Sequence, residues 1–221
     1  MAIAFDAQAT SSYLWSPWTG LSYNHTCTWS DRILFVMTAN NWATTTTTAV
    51  TYNGVSMTSI WSIRNSNNSL VTLWYLIAPA TWSNTITTTT SAAANQIAKS
   101  VSYTWVQQSS QPDAFTVNWP TTTTSFTQSV TTVANNCWLI AASAWMSWLT
   151  ITAGANTTIR NAMELSLAWS FIIDSNSAQT PAWSKSMNVT SSSQQFTWVM
   201  ASFSPATASV QTNPTFILNF I

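Results

Sequence analysis

The chain has 221 residues, room for one large domain or two small ones. Five basic and five acidic residues cancel, and only 5% of residues are charged, against about 25% in an ordinary soluble domain. That composition lacks the basic footprint of a nucleic-acid binder and the polybasic segment of a membrane-surface protein.

The first residues, Met1-Ala-Ile-Ala-Phe-Asp6, have neither a basic start nor a long apolar stretch, so no secretory signal is visible. The expected location is therefore extracellular after signal removal, or inside a virus particle. Ile33-Leu-Phe-Val-Met37 is apolar throughout and reads as a central strand covered on both faces. Thr44 to Thr48 suits a strand or strand edge, because the branched threonine Cβ fits the pleat. Asn53-Gly54, flanked by Val50, Tyr52, Val55 and Met57, is the strongest hairpin signal in the chain.

Leu73-Trp-Tyr-Leu-Ile77 is a second doubly covered strand, and Thr87 to Thr90 is another strand edge. Val101, Tyr103 and Trp105 alternate with Ser102 and Thr104. Phe126, Gln128 and Val130 alternate with Thr127 and Ser129, and Met187 and Val189 with Ser186, Asn188 and Thr190. This period of two marks strands with one buried and one wet face. Cys137-Trp-Leu-Ile-Ala141 is a third apolar run. Asn161 to Leu167 fits one helical turn or a strand. After Ser204-Pro205 the chain turns small and polar, and Phe216, Leu218 and Phe220 suggest a terminal strand.

No stretch sustains a helical period with caps, and no apolar run approaches the roughly 18 residues of a membrane span. A dozen or more short strands at intervals of about ten residues predict an all-β, antiparallel β-sandwich of jelly-roll type. The expected organisation is one domain over residues 1–205, with 206–221 as a tail or terminal strand.

The chain holds 15 tryptophans and 3 glycines. Most of the tryptophans sit where a turn calls for glycine: Thr28-Trp29-Ser30-Asp31, Ala80-Thr81-Trp82-Ser83-Asn84, Pro181-Ala182-Trp183-Ser184, Asn41-Trp42, Asn118-Trp119-Pro120 and Ser147-Trp148. Trp74 and Trp138 differ, lying inside apolar strand runs where an indole packs well. Replacing the other tryptophans by glycine gives an ordinary globular composition. A gene whose UGA codons encode glycine, read with UGA as tryptophan, produces this pattern. Trp29, Trp82 and Trp183 are among the positions most suspected of being glycine.

The segments Asn24–Val36, Val50–Met57, Trp74–Asn84, Val101–Trp105 with Gln111-Pro112-Asp113, Val130–Trp138, Thr180–Ser184 and Val199–Phe203 carry a resemblance. They resemble a family of uncharacterised β-sandwich proteins from metagenomic bacterial and phage genomes, over about residues 3 to 205. The resemblance implies glycine at 29, 82, 105 and 183. It implies a sandwich fold and brings no activity, substrate or catalytic residue.

The residues that could carry chemistry are few. His25 is the single histidine, and Cys27 lies two residues away on one strand face. That spacing separates them by about 6–7 Å, too far for direct proton transfer, so a structural histidine is expected. Cys27 and Cys137 are the only cysteines, and they are either a disulfide closing a long loop or two buried thiols.

The carboxylates are Asp6, Asp31, Asp113, Glu164 and Asp174, with Glu164 and Asp174 suited to adjacent strands. Asp31 and Asp174 are read as turn or surface-pair residues. No metal or catalytic cluster is expected; a calcium ion between strand ends is the one cofactor weighed. The expected role is non-enzymatic: a structural or surface-display sandwich of a phage particle or cell surface. Its expected partners are other copies, virion or surface proteins, and no nucleic acid. The alternative is a carbohydrate-binding module of jelly-roll type contacting glycans, and a glycan-active hydrolase ranks third.

Overall fold

Strict alternation along one strand after another forces these segments into sheets. A computed structural model describes residues 1–207 except 42–43, 67, 146–149 and 166–167. For 15–17, 145, 163–165, 168–169 and 193–194 the backbone alone is described.

The described residues form sixteen strands and no helix. They are β1 (Ala4–Thr10), β2 (Leu14–Cys27), β3 (Ile33–Asn40), β4 (Thr47–Tyr52), β5 (Val55–Ser56), β6 (Thr58–Arg64), β7 (Leu70–Ile77) and β8 (Trp82–Thr104). The second half gives β9 (Ala114–Val117), β10 (Thr121–Thr131), β11 (Trp138–Trp145), β12 (Thr152–Ala153), β13 (Thr158–Leu165), β14 (Ala168–Asp174), β15 (Ser184–Phe196) and β16 (Trp198–Phe203). Every pairing is antiparallel.

Three sheets result: one of eight strands along the path β5-β4-β8-β3-β7-β6 with β1 and β2 also on β8, one of five in the order β13-β14-β11-β16-β9, and one of three, β10-β15-β12. The period of two then distributes three cores among them. Ile33, Phe35 and Met37 of β3 meet Ile140 and Ala142 of β11 and Val199, Ala201 and Phe203 of β16 in a central core. The opposite face of the five-stranded sheet, with Leu139, Phe171, Ile173, Trp198 and Met200, packs on Phe126, Val130, Met187 and Val189 of the three-stranded sheet. The opposite face of β3 and β7, with Leu34, Val36 and Trp74, packs on Leu21, Val50, Tyr52 and Ile86 inside the large sheet itself.

That third core exists because β8 serves two edges. Its first half, Trp82 to Thr90, lies between β2 and β4; its second half, Gln96 to Thr104, lies between β1 and β3. The strand bends between the halves, and the large sheet curls towards a barrel. The chain is thus all-β with antiparallel sheets, layered so that β3 is buried on both faces along its whole length.

The apolar runs read as doubly covered strands are β3, β7 and β11, and each faces two cores. Asn53-Gly54 makes the hairpin between β4 and β5, with φ of 50° and 76° and Tyr52 opposite Val55. Two positive φ values match the twist of a tight hairpin. Asn161 to Leu165 belongs to β13, not to a helical turn. β8 is 23 residues long, against the short strands expected. The expected terminal strand near 215–221 lies outside the described residues.

Candidate functional site

Three of the fully buried polar residues, Lys99, Ser100 and Ser102, lie together on the second half of β8. Ile97, Lys99, Val101 and Tyr103 face the central core, while Ala98, Ser100 and Ser102 face the curl of the large sheet.

On the curl side, His25 projects from β2 between two serines. Nδ1 lies 2.8 Å from Ser100 Oγ and Nε2 3.0 Å from Ser102 Oγ. The Ser102 hydroxyl donates to Asp6 Oδ2 at 2.8 Å, so it accepts from His25, which fixes the proton on Nε2. Nδ1 then accepts from Ser100. Asp6 also accepts from the Thr28 amide at 2.9 Å and from the Thr28 hydroxyl. The order is Ser100–His25–Ser102–Asp6, a nucleophile–base chain with one extra serine.

Access decides what this chain can do. His25 is 1% exposed, and Ser100 and Ser102 are fully buried. Burial, opposed by Asp6, lowers the His25 pKa from 6.5 to about 4, so the ring is neutral at physiological pH. A hollow of about 70 Å³ lies between Cys27, Thr28, Trp29, Thr81 and Trp82, and none of the relay residues lines it. A larger open hollow of about 270 Å³ over Ser11, Leu14, Trp18 and Gly20 contains no histidine or carboxylate. The relay therefore has the bonding order of a serine–histidine–carboxylate chain, with its histidine and both serines buried. The His25 ring bonds to Ser100 and Ser102, and Cys27 packs in the core of the curl.

On the core side, Tyr103 donates to Asp174 Oδ2 at 2.8 Å, and Arg160 Nε donates to the same oxygen at 2.6 Å. The Asn176 amide donates to Oδ1 at 3.0 Å, and the Arg160 guanidinium lies 4.3 Å above the Phe5 ring. Asp174 is fully buried, which corrects the surface part of its reading, while it does pair with Arg160 and its Oδ1 does hold the Asn176 amide in the turn after β14. Burial raises its carboxyl above the ordinary value despite Arg160, and burial pushes the Tyr103 phenol well up. Farther along the same face, Lys99 donates to Asn161 Oδ1 at 2.9 Å.

Glu164 and Asp174 do lie on paired strands, but Glu164 is opposite Trp169 and Asp174 opposite Thr158. Five ladder steps along β14 put them roughly 17 Å apart along the strands by the rise per residue, beyond the ~5–10 Å of a glycosidase pair. Asp113 clamps a loop, accepting from the amides of Val133 and Ala134 and from Ser202. Among the described residues no three His, Cys, Asp or Glu side chains come together as a metal site.

Cys27 and Cys137 are both buried and neither is in a disulfide. This corrects the cross-link expected as one option. Cys27 ends β2 inside the curl of the large sheet, whereas Cys137 bridges to Gln179 and donates to Ala134 O at 3.1 Å. Burial pushes the first thiol up to about 11 and the second to about 12.

Trp29, Trp82 and Trp105 have φ of 58°, 71° and 61°, in the left-handed region. A bulky residue is strained there and glycine is not. The rings of Trp29 and Trp82 are 73% and 76% exposed. The Trp29 and Trp105 turns adjoin, since the Trp105 amide donates to Ser30 O and the Val106 amide to Asp31 O, and Trp82 lines one hollow with Trp29. Trp183 is exposed but lies outside that region of φ. Trp74 and Trp138 are in the core as expected, and Trp198 joins them, fully buried between Phe126 and Phe171.

No protein-family model, curated protein or solved structure matches the chain.

Sequence reasoning did not single out Lys99, Asn161, Ser100, Ser102 or Arg160. The one available signal was Lys99 itself, a charge on the apolar side of the run Ile97, Val101, Tyr103.

Proposed function

We propose that the chain is a non-enzymatic structural or surface-display sandwich of a virus particle or a cell surface. The observation that carries this reading is the internal use of its reactive groups. His25, Asp6, Ser100 and Ser102 bond to one another beneath the surface, and Asp174 to Arg160 and Tyr103. What faces solvent is largely uncharged, as on β10, where Thr121, Thr122, Thr124, Ser125, Thr127, Ser129 and Thr131 are exposed. Such faces suit a rigid element that packs beside copies of itself or other surface proteins.

Within this reading the fold is a jelly-roll variant, supported by the β4-β8-β3 order that sets sequence neighbours apart. Residues 1–205 act as one domain, supported by a central core that runs from Ile3 to Phe203. Positions 29, 82 and 105 are native glycines, supported by their φ, and 183 is a fourth by its place in a turn. The same reading assigns the chain to the metagenomic bacterial and phage sandwich family that its segments resemble. Immunogold electron microscopy of the source material is the test. Label on particles or envelopes is the expected result, and label confined to the cell interior contradicts it.

A carbohydrate-binding module is the second reading. Its support is the exposed Trp61–Phe115 stack, with ring centroids 6.0 Å apart at 28°. A glycan array separates the two, because binding abolished by Phe115→Ala would favour the second.

A further inference from the structure

Lys99 is fully buried, and among the described residues no carboxylate lies within ion-pair distance of it. A cation in that position has lost its water without gaining an opposite charge. Its amine instead meets a carboxamide: Lys99 Nζ lies 2.9 Å from Asn161 Oδ1, across the central core from β8 to β13.

The carboxamide is held on every side. The Thr10 hydroxyl donates to Oδ1 at 2.7 Å, and Nδ2 donates to the Ala9 carbonyl at 2.9 Å. Asn161 itself is 7% exposed. Amine, amide and a hydroxyl aimed at the amide oxygen are thus fixed together in a water-poor core.

We propose that Lys99 and Asn161 join in an intramolecular isopeptide bond that staples the large sheet to the five-stranded sheet. The uncharged Nζ attacks Cγ of Asn161, and the Nζ–Cγ bond forms. The carbonyl electron pair moves to Oδ1, where the Thr10 hydroxyl stabilises it, as a donor in an oxyanion hole does. The carbonyl then re-forms and the Cγ–Nδ2 bond breaks. One proton passes from Nζ to Nδ2, which leaves as ammonia. No electron is gained or lost overall, and no oxidant or reductant takes part.

Two physical effects favour the step. Burial lowers the Lys99 pKa from 10.5 to about 7, so a large fraction of the amine is the nucleophilic free base at neutral pH. Holding both partners in place removes the entropy of bringing them together. The product also removes a buried ammonium that would otherwise weaken the core.

The test is the intact mass of the full chain, held at neutral pH until the mass is constant, followed by a protease peptide map. The expected mass is lighter than that of the sequence by one ammonia, and the map contains a branched peptide joining residues 99 and 161. Lys99→Met and Asn161→Ala keep their full masses, while Asn161→Asp is lighter by one water. If either of the first two variants fails to fold, the wild-type map still decides. A wild-type chain at full mass, with separate peptides bearing unmodified Lys99 and Asn161, overturns the proposal.

Discussion

Tyr103 on β8 and Asp174 on β14 are joined by a 2.8 Å hydrogen bond through a core that is otherwise mainly apolar. Around the bond stand the rings of Phe35, Phe203 and Trp138, with centroids 4.8 to 6.1 Å from that of Tyr103. Arg160 completes the group from the end of the core. Removing the carboxylate leaves a guanidinium and a phenol without their acceptor. Asp174→Ala should cost about 3 kcal/mol or more, read from urea unfolding midpoints. Tyr103→Phe should cost about 1 kcal/mol, because Asp174 keeps Arg160. Equal losses in the two variants would contradict this division.

Positive φ at Trp29, Trp82 and Trp105 makes a second prediction. Each change to glycine should stabilise by about 1 kcal/mol through relief of backbone strain. The exposed rings of Trp29 and Trp82 give up little packing. Trp183→Gly should bring no such gain, since its φ is not in that region. Thermal or urea midpoints of the four variants are the measurement, and a fall at 29 and 82 would count against the strain argument.

The buried histidine predicts a pH dependence. Its folded pKa of about 4 lies below the ordinary value of 6.5, so the unfolded chain binds the proton first as pH falls. The His25 contribution to stability is full above about 6.5 and is lost as pH falls towards about 4. The loss across that window is about 3 kcal/mol. His25→Gln should be less stable at neutral pH but flatter over that range. An unchanged slope in the variant would assign the effect elsewhere.

Both thiols should be inert in the folded protein. Burial raises their pKa values to about 11 and about 12, and the thiolate is the reactive form. A maleimide reagent should add nothing under native conditions and two equivalents in guanidinium without reductant. None on unfolding would indicate a Cys27–Cys137 disulfide.

The sheets were legible in the chain because burial writes itself as period two. The runs Ile33–Met37, Leu73–Ile77 and Cys137–Ala141 are apolar throughout because the strands that hold them have two cores to face. The polar groups were not legible in the same way. His25 finds its partners 75 and 77 residues away, and Asn161 its lysine 62 away. Those distances close only because β8 bends and presents its second half to both the curl and the central core. Nothing local in Ala98-Lys99-Ser100-Val101-Ser102 reveals that bend. The tryptophans show the opposite case: a turn needs a particular φ whatever surrounds it, so local context alone singled out 29 and 82, though it also pointed to 183, whose φ is not positive, while glycine at 105 came from the resemblance.

The structural role is tested most directly by quantitative mass spectrometry of fractionated source material. The account predicts the chain in the particle or envelope fraction, at the copy number of a building component. Its recovery only in the soluble interior of the cell, at trace abundance, would contradict it.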